Sequence, residues 1–202
     1  MTRRLIGLTG LMLAVGLGTA NAQQSAPVRQ AVAVFAGGCF WCMEPPFDKT
    51  PGVLSTTSGY IGGSQAEATY QQVSAGATDH IEAVQVVYDP AKVSYAKLLD
   101  VFWRNVDPFD VTGQFCDKGA QYRAAVFARD DAEKQAAEKS KQELQGKLGK
   151  RIVTEVRRAS EFYPAEEYHQ DYYVKNPVKY KFYRTTCGRD SRLDQVWGAA
   201  TN

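Results

Sequence analysis

Past residue 30 the chain breaks into short apolar runs and longer amphipathic stretches, each bounded by glycine, proline or acidic residues. Gln30-Ala31-Val32-Ala33-Val34-Phe35-Ala36 is β-favouring and almost wholly apolar, the composition of a buried strand. Gly37-Gly38 lets the backbone turn, and Cys39 to Phe47 reads as a short helix. Gly52 to Tyr60 is extended and runs into a glycine-bounded loop at Gly59-Tyr60-Ile61-Gly62-Gly63. Glu82 to Tyr88 has strand composition and stops at Asp89-Pro90. Ser94 is placed to cap a helix whose Tyr95, Leu98, Leu99, Phe102 and Val106 fall on one face, an ordinary core stripe.

A polar turn from Asp107 to Gly113 leads to a strand over Tyr122 to Ala128. Asp130 to Lys150 starts with acids and ends with lysines, as the helix dipole favours. A short strand around Ile152 to Val156 and a helix around Ala165 to Tyr173 complete the regular structure, and Asn176-Pro177 opens an aromatic, basic tail. Strands and helices mix without strict βαβ alternation or a glycine-rich phosphate fingerprint. The pattern predicts an α+β fold, a two-layer sandwich of helices on a mixed β-sheet, as a ferredoxin-like variant.

Residues 1–22 change the picture at the N-terminus. Arg3-Arg4, an apolar run from Leu5 to Gly18 and the small residues Thr19-Ala20-Asn21-Ala22 have the layout of a cleavable secretory signal, with the Sec type preferred over the twin-arginine type that Arg3-Arg4 faintly resembles. The run is too short for a stable span, and no later stretch approaches the roughly 20 apolar residues a span requires. The remaining 180 residues, 23–202, suit a single domain. They carry 22 basic and 22 acidic side chains, so charge offers no case for binding nucleic acid or inserting in a membrane.

Four cysteines in an exported chain suggest structural disulfides. Cys39 and Cys42 fit that role poorly, because a C-x-x-C bridge closes a tiny loop, whereas Cys116 and Cys187 are far apart in sequence and a bridge between them would restrain the tail. Cys39 sits where a strand ends and a helix begins. The free N–H groups and positive dipole end of that helix favour a thiolate there and predict a lowered pKa. Phe40 and Trp41, two bulky aromatics between the sulfurs, are placed to wall an apolar pocket.

At Gly38-Cys39-Phe40-Trp41 the chain closely resembles peptide methionine sulfoxide reductase A, the class acting on the S epimer. Thr69-Tyr70-Gln71-Gln72-Val73, Gly76, His80-Ile81-Glu82-Ala83-Val84 and Tyr88-Asp89-Pro90 match the family's next blocks in order. Asp107-Pro108, Asp117-Lys118-Gly119-Ala120-Gln121-Tyr122-Arg123, His169-Gln170 and Asn176-Pro177 continue the series over most of the mature chain. Several ordered blocks are far more specific than a lone C-x-x-C.

The resemblance implies reduction of methionine sulfoxide, free or in oxidised proteins and peptides, and so a repair role under oxidative stress. Cys39 is then the nucleophile, leaving as product a sulfenic acid that a second thiol condenses to a disulfide. Glu82 supplies the proton for the departing oxygen, which requires burial to keep it protonated; taken alone, it reads as a solvent-facing strand residue. Tyr70 and Tyr122 direct hydroxyls at the sulfoxide oxygen, Asp117 positions that end of the pocket, and Phe40 and Trp41 enclose the ε-methyl group.

Many relatives have glycine in place of Cys42 and resolve with a cysteine in a glycine-rich tail. The tail around Cys187 is neither glycine-rich nor supplied with a second cysteine. Cys42, one helical turn from Cys39, ranks first as resolving thiol, Cys187 second and Cys116 third. No bound cofactor or metal is implied. Electrons come from a thioredoxin-like donor, or from dithiothreitol in vitro, to a monomer that is periplasmic if the source is bacterial.

Two other readings compete. C-x-x-C between strand and helix is also the arrangement of thioredoxin-like oxidoreductases, though these give Glu82, Tyr70 and Tyr122 nothing to do. A zinc module could use Cys39 and Cys42 with His80 and His169. Neither histidine belongs to a second close ligand pair, and the spacing Glu166-Glu167-Tyr168-His169 occurs once, so His169 reads as a surface residue.

Overall fold

The computed structural model describes residues 29–198, so the secretory signal read over residues 1–22 lies outside the described residues. The chain begins with β1 (Ala31–Gly37), α1 (Phe40–Asp48), β2 (Val53–Ile61), the short α2 (Tyr70–Ser74), β3 (Ile81–Tyr88) and α3 (Tyr95–Arg104). A small hairpin follows, β4 (Gly113–Gln114) and β5 (Asp117–Lys118), then β6 (Ala124–Ala128) and the long α4 (Asp131–Leu148). The last third holds β7 (Glu155–Arg158), β8 (Phe162–Pro164), α5 (Tyr172–Lys175), α6 (Pro177–Thr186) and α7 (Arg189–Trp197).

Six strands form one mixed sheet in the order β7-β6-β1-β3-β2-β8, antiparallel throughout except for the parallel pair β6 and β7. The fold is α+β, helices on a mixed sheet. Alternation along the central strands explains both faces. Ala33, Phe35, Val84, Val86 and Val126 point into the larger core, where Phe47, Leu98, Leu99, Phe102 and Trp103 meet them from α1 and α3. Val34, Ala36, Ala83, Ala125 and Phe127 form a smaller cluster on the other face, partly covered by Ala159 and Phe162. Burial on both faces is why β1 reads as a continuous apolar run.

Capping chemistry sets the helix starts where the sequence places them. Ser94 accepts from Lys97 N–H at the start of α3, and Asp130 accepts from Glu133 N–H at the start of α4. Val106 is fully buried just beyond the end of α3.

Several boundaries differ from the pattern reading, each for a traceable reason. The loop read at Gly59 to Gly63 is in part the end of β2, whose Gly59 to Ile61 pair with β3 on one side and β8 on the other. The strand read over Tyr122 to Ala128 begins at Ala124, because Ala120–Tyr122 form a single 3₁₀ turn. The strand expected at Ile152 to Val156 lies at Glu155–Arg158. The N–H groups of Ile152 and Val153 go to Gln145 Oε1 (3.0 Å) and to Pro108 O (2.8 Å), outside the ladder.

The expected helix over Ala165 to Tyr173 is not continuous. Gln170 clamps the edge of β2 by accepting from Ser58 N–H and donating to Ser58 O and Ala165 O, and Asp171 then turns left-handed at φ 53°. Only the 3₁₀ turn Glu167–His169 and the four-residue α5 are helical there. The aromatic tail is two helices, α6 and α7, which wrap back over the β1–α1 turn.

Candidate active site

The β1–α1 turn is built around two glycines. Gly38 has φ +80°, and a Cβ on it would lie 2.6 Å from Gln114 Cβ; a Cβ on Gly37 would lie 2.5 Å from Met43 Sδ. The turn delivers Cys39 to the N-cap of α1 with its side chain free, since it makes no capping bond. Cys39 is 6% exposed and Cys42 1%, and both sulfurs are free thiols.

Around Cys39 lies a cavity of about 70 Å³, room for roughly two water molecules, lined by Cys39, Phe40, Trp41, Tyr70, Glu82, Asp117, Tyr122 and Tyr183. Every residue assigned to nucleophile, acid, hydroxyl donor or methyl pocket from the sequence is on that lining. With Tyr183 they come from the N-cap and first turn of α1, α2, β3, β5, the Ala120–Tyr122 turn and α6, so no single element makes the site.

Glu82 lies on β3 with the parity of Val84 and Val86, hence on the helix-covered face, where it is 1% exposed rather than solvent-facing. Its Oε2 accepts from the Phe40 N–H at 3.1 Å, one of the free donors at the start of α1. Burial pushes its carboxyl up to about 8 against the opposing pull of that N–H, and the charges of Asp117 and Cys42 push the same way. Glu82 is therefore protonated at neutral pH. Burial raises Tyr70 to about 12 and raises Tyr122 as well, so both phenols are hydrogen-bond donors throughout the physiological range.

Asp117 is carried by the β4–β5 hairpin and accepts from the Tyr183 hydroxyl on α6. Its carboxyl is raised, by burial first, with the Tyr183 bond opposing. A covalent link runs alongside that hydrogen bond: Cys116 and Cys187 form a disulfide across 71 residues, with Cα atoms 5.0 Å apart. That bond fastens hairpin to helix beside the cavity. Cys187, the second candidate for resolving thiol, and Cys116, the third, are bonded to each other in this state.

Trp41 is held on three sides. Its Nε1–H donates to His169 Nδ1 at 3.0 Å, Tyr172 stacks on it at 3.8 Å between centroids and 7° between planes, and Tyr183 meets its edge. His169 is thus 1% exposed, a buried support of the pocket wall and not the surface residue the sequence suggested. Burial lowers its pKa, which keeps the ring neutral and Nδ1 able to accept. His80 is also buried, taking the Gly63 N–H on Nδ1 and facing Ser64 O with Nε2.

A profile described as peptide methionine sulfoxide reductase matches residues 31–201. The chain belongs to that family. The reductase is 48% identical over 167 residues to a peptide methionine sulfoxide reductase MsrA of Listeria welshimeri, covering 82% of this chain and 94% of the relative. Among solved structures it resembles the reduced form of Mxr1 from Saccharomyces cerevisiae, with TM-score 0.71, 35% identity, 78% of this chain and 92% of the other. Mxr1 has also been crystallised in complex with Trx2, and that structure matches with TM-score 0.51 at 27% identity over 75% of this chain and 91% of the other.

The electrostatics of the reductase correct one expectation. The Cys39 thiol is not lowered: burial, reinforced by the hydrogen bond to Cys42, pushes it well up. Cys42 is instead lowered to about 6, first by the hydrogen bond from Cys39 and then by Arg189 and Arg184, against its own burial. Two thiols this close titrate as a unit, and the charge of the singly deprotonated pair rests on Cys42.

Sequence reasoning missed Tyr183, which lines the cavity, and Glu166, whose carboxylate accepts from Tyr70 N–H and from the Tyr60 hydroxyl and so ties α2 to β2. The available signal for Tyr183 was the aromatic density of the tail. Glu166 was legible only as half of an E-x-x-H spacing, which pointed to metal rather than to support.

Proposed function

We propose that this family member reduces the S epimer of methionine sulfoxide, free or in exported proteins, through Cys39. The observation that carries the reading is Glu82: a carboxyl protonated at neutral pH, on the lining of the same small cavity as the Cys39 sulfur. The sulfoxide oxygen takes hydrogen bonds from Tyr70 and Tyr122 and the proton from Glu82, while Phe40 and Trp41 take the ε-methyl group.

The singly deprotonated pair gives Cys39 an internal route to its thiolate, because Cys42 accepts the Cys39 proton as the substrate docks. Cys39 then attacks the sulfoxide sulfur and forms an S–S bond while the oxygen takes the Glu82 proton; the hydroxyl passes to the Cys39 sulfur as the S–S and substrate S–O bonds break, so methionine leaves and Cys39 carries the oxygen as a sulfenic acid. Cys42 condenses with it, expelling the oxygen as water and leaving a Cys39–Cys42 disulfide. Asp117 and Tyr183 hold the oxygen-side wall.

The complex of Mxr1 with Trx2 supports a thioredoxin-like reductant for that disulfide. The layout of residues 1–22 supports export by a cleavable signal, with residues 23–202 acting as a single monomeric domain, in the periplasm if the source is bacterial.

Turnover of separated S and R epimers of a peptidyl methionine sulfoxide tests the reading. With dithiothreitol, wild type and Cys42→Ser turn over the S epimer and Cys39→Ser does not. With thioredoxin, Cys42→Ser stalls. Equal activity on both epimers, or activity surviving loss of Cys39, refutes it.

A further inference from the structure

Arg189, the first residue of α7, is 1% exposed although it carries a full charge. A buried guanidinium ordinarily lies against a carboxylate. Arg189 makes no ion pair among the described residues. Its Nη2 donates to Asn105 O at 2.7 Å, Gly37 O at 3.1 Å and Met43 Sδ at 3.0 Å, its plane lies over the Phe115 ring at 4.4 Å, and its Nε has no partner. Neighbouring Arg184 is the contrast: Asp190 binds its Nε and Nη2, and the Tyr180 hydroxyl receives its Nη1–H. The free cation therefore sits under the turn Gly37-Gly38-Cys39, bonded to the residue before Gly38 and to the residue after Cys42.

We propose that Arg189 is the positioning residue that supplies the counter-charge for a thiolate on Cys42, keeping that sulfur ionised for attack on oxidised Cys39. The proposal rests on the reading of Cys42 as the resolving thiol. In the step it serves, Cys42 gives up the proton it took from Cys39 to the sulfenic oxygen and attacks the sulfenic sulfur as a thiolate: an S–S bond forms, the S–O bond breaks, and hydroxide leaves with that proton as water. A fixed positive charge in a site closed to solvent holds the nucleophile ready without a base of its own.

The groups facing Cys42 are Cys39, Glu82, Asp117, Tyr180, Arg184 and Arg189. Of the two cations Arg189 acts on Cys42 more strongly. An arginine suits this place better than an acid-neutralised pair would, since its backbone-carbonyl partners fix the guanidinium without cancelling its charge.

The test is the thiolate absorbance of Cys42, followed against pH in Cys39→Ser protein with the Cys116–Cys187 disulfide intact; that substitution keeps a hydroxyl donor beside Cys42. Adding Arg189→Met should raise the midpoint by about one to three pH units. Arg189→Lys should return most of that shift. An unchanged midpoint in a natively folded Arg189→Met protein overturns the proposal. If that variant does not fold, a midpoint in Arg189→Lys as high as that of a free cysteine overturns it instead.

In otherwise wild-type protein given one equivalent of methionine sulfoxide, Arg189→Met should lengthen the life of the sulfenic acid at pH 7 by about tenfold or more. The underlying reading fails separately. If Cys42→Ser forms an intramolecular disulfide as fast as wild type, Cys42 is not the resolver, whatever its midpoint.

Discussion

At the scale of single residues, the site depends on groups held away from their ordinary protonation state. Glu82 is the clearest case. Its native pKa of about 8 exceeds its value in an unfolded chain, so between about pH 4.5 and 8 the native state holds a proton that the unfolded state has released. Its contribution to stability is complete below the unfolded pKa and is lost as pH rises through the native one. Glu82→Gln should therefore cut turnover by about 10²-fold or more, and also raise the melting temperature at pH 8.5 relative to wild type. Enzyme kinetics and calorimetry on the same preparation check both. In the wild type the rate should fall on the alkaline side with an apparent pKa near 8, as the proton donor is lost.

Gly38 is a second residue whose identity the geometry requires. Gly38→Ala combines a left-handed backbone with a contact against Gln114 Cβ, and should cost about 1–2 kcal/mol from the backbone alone, more if Gln114 does not yield. Denaturant unfolding would read this. Both residues were legible in the sequence, Gly38 from the turn it breaks and Glu82 from the family block around it. The burial of Glu82 was not, because a single acid in a strand of mixed composition does not say which face is covered.

At the scale of elements, the β4–β5 hairpin and α6 behave as a pair of jaws. Asp117 and Tyr183 meet at the cavity, and the disulfide one residue from Asp117 and four from Tyr183 holds them together. Closing a loop of this length should stabilise the fold by about 2–4 kcal/mol. The double variant Cys116→Ser/Cys187→Ser should lose that much in urea unfolding and also show a raised KM, since the Asp117 wall is less firmly set. An unchanged KM with the expected loss of stability would mean the disulfide supports the fold alone.

Helices with strong local signals were readable: α3 from its apolar stripe and Ser94, α4 from its charge order and Asp130. The β4–β5 hairpin was not, because two-residue strands carry no periodicity. Nor were the interruptions between Ala165 and Tyr173, since Gln170 bonds across 112 residues to Ser58 and a local pattern contains no trace of that partner.

At the scale of the whole molecule, the central strands of the sheet are packed on both faces and the C-terminal helices close over one end. The large core reaches the cavity through Phe40, with Trp41 and Tyr70 packed against it, and fixes where β1 and β3 present Cys39 and Glu82. Phe102→Ala, fully buried against Phe35 and Trp103, should cost about 3–5 kcal/mol and lower the temperature at which activity is lost, with KM at 25 °C little changed. The end helix is fastened by Trp197 Nε1–H to Val106 O and by Arg192 to Asp107, which brings Arg189 back to β1 across 152 residues.

The order of residues along the chain is enough to specify the apolar strands, the capped helices, the glycine turn before Cys39 and, through ordered blocks of residue types, the reductase family and its set of reacting side chains. These are local or composition-borne properties, written in a few consecutive positions each. Folding in three dimensions settles the rest: which acid is dry enough to keep its proton, that burial raises the Cys39 thiol, that charge rests on Cys42, and that His169, Tyr183 and Arg189 stand behind the site. Desolvation and Coulomb interaction depend on what surrounds an atom in space, and those neighbours arrive from strands and helices far apart along the chain.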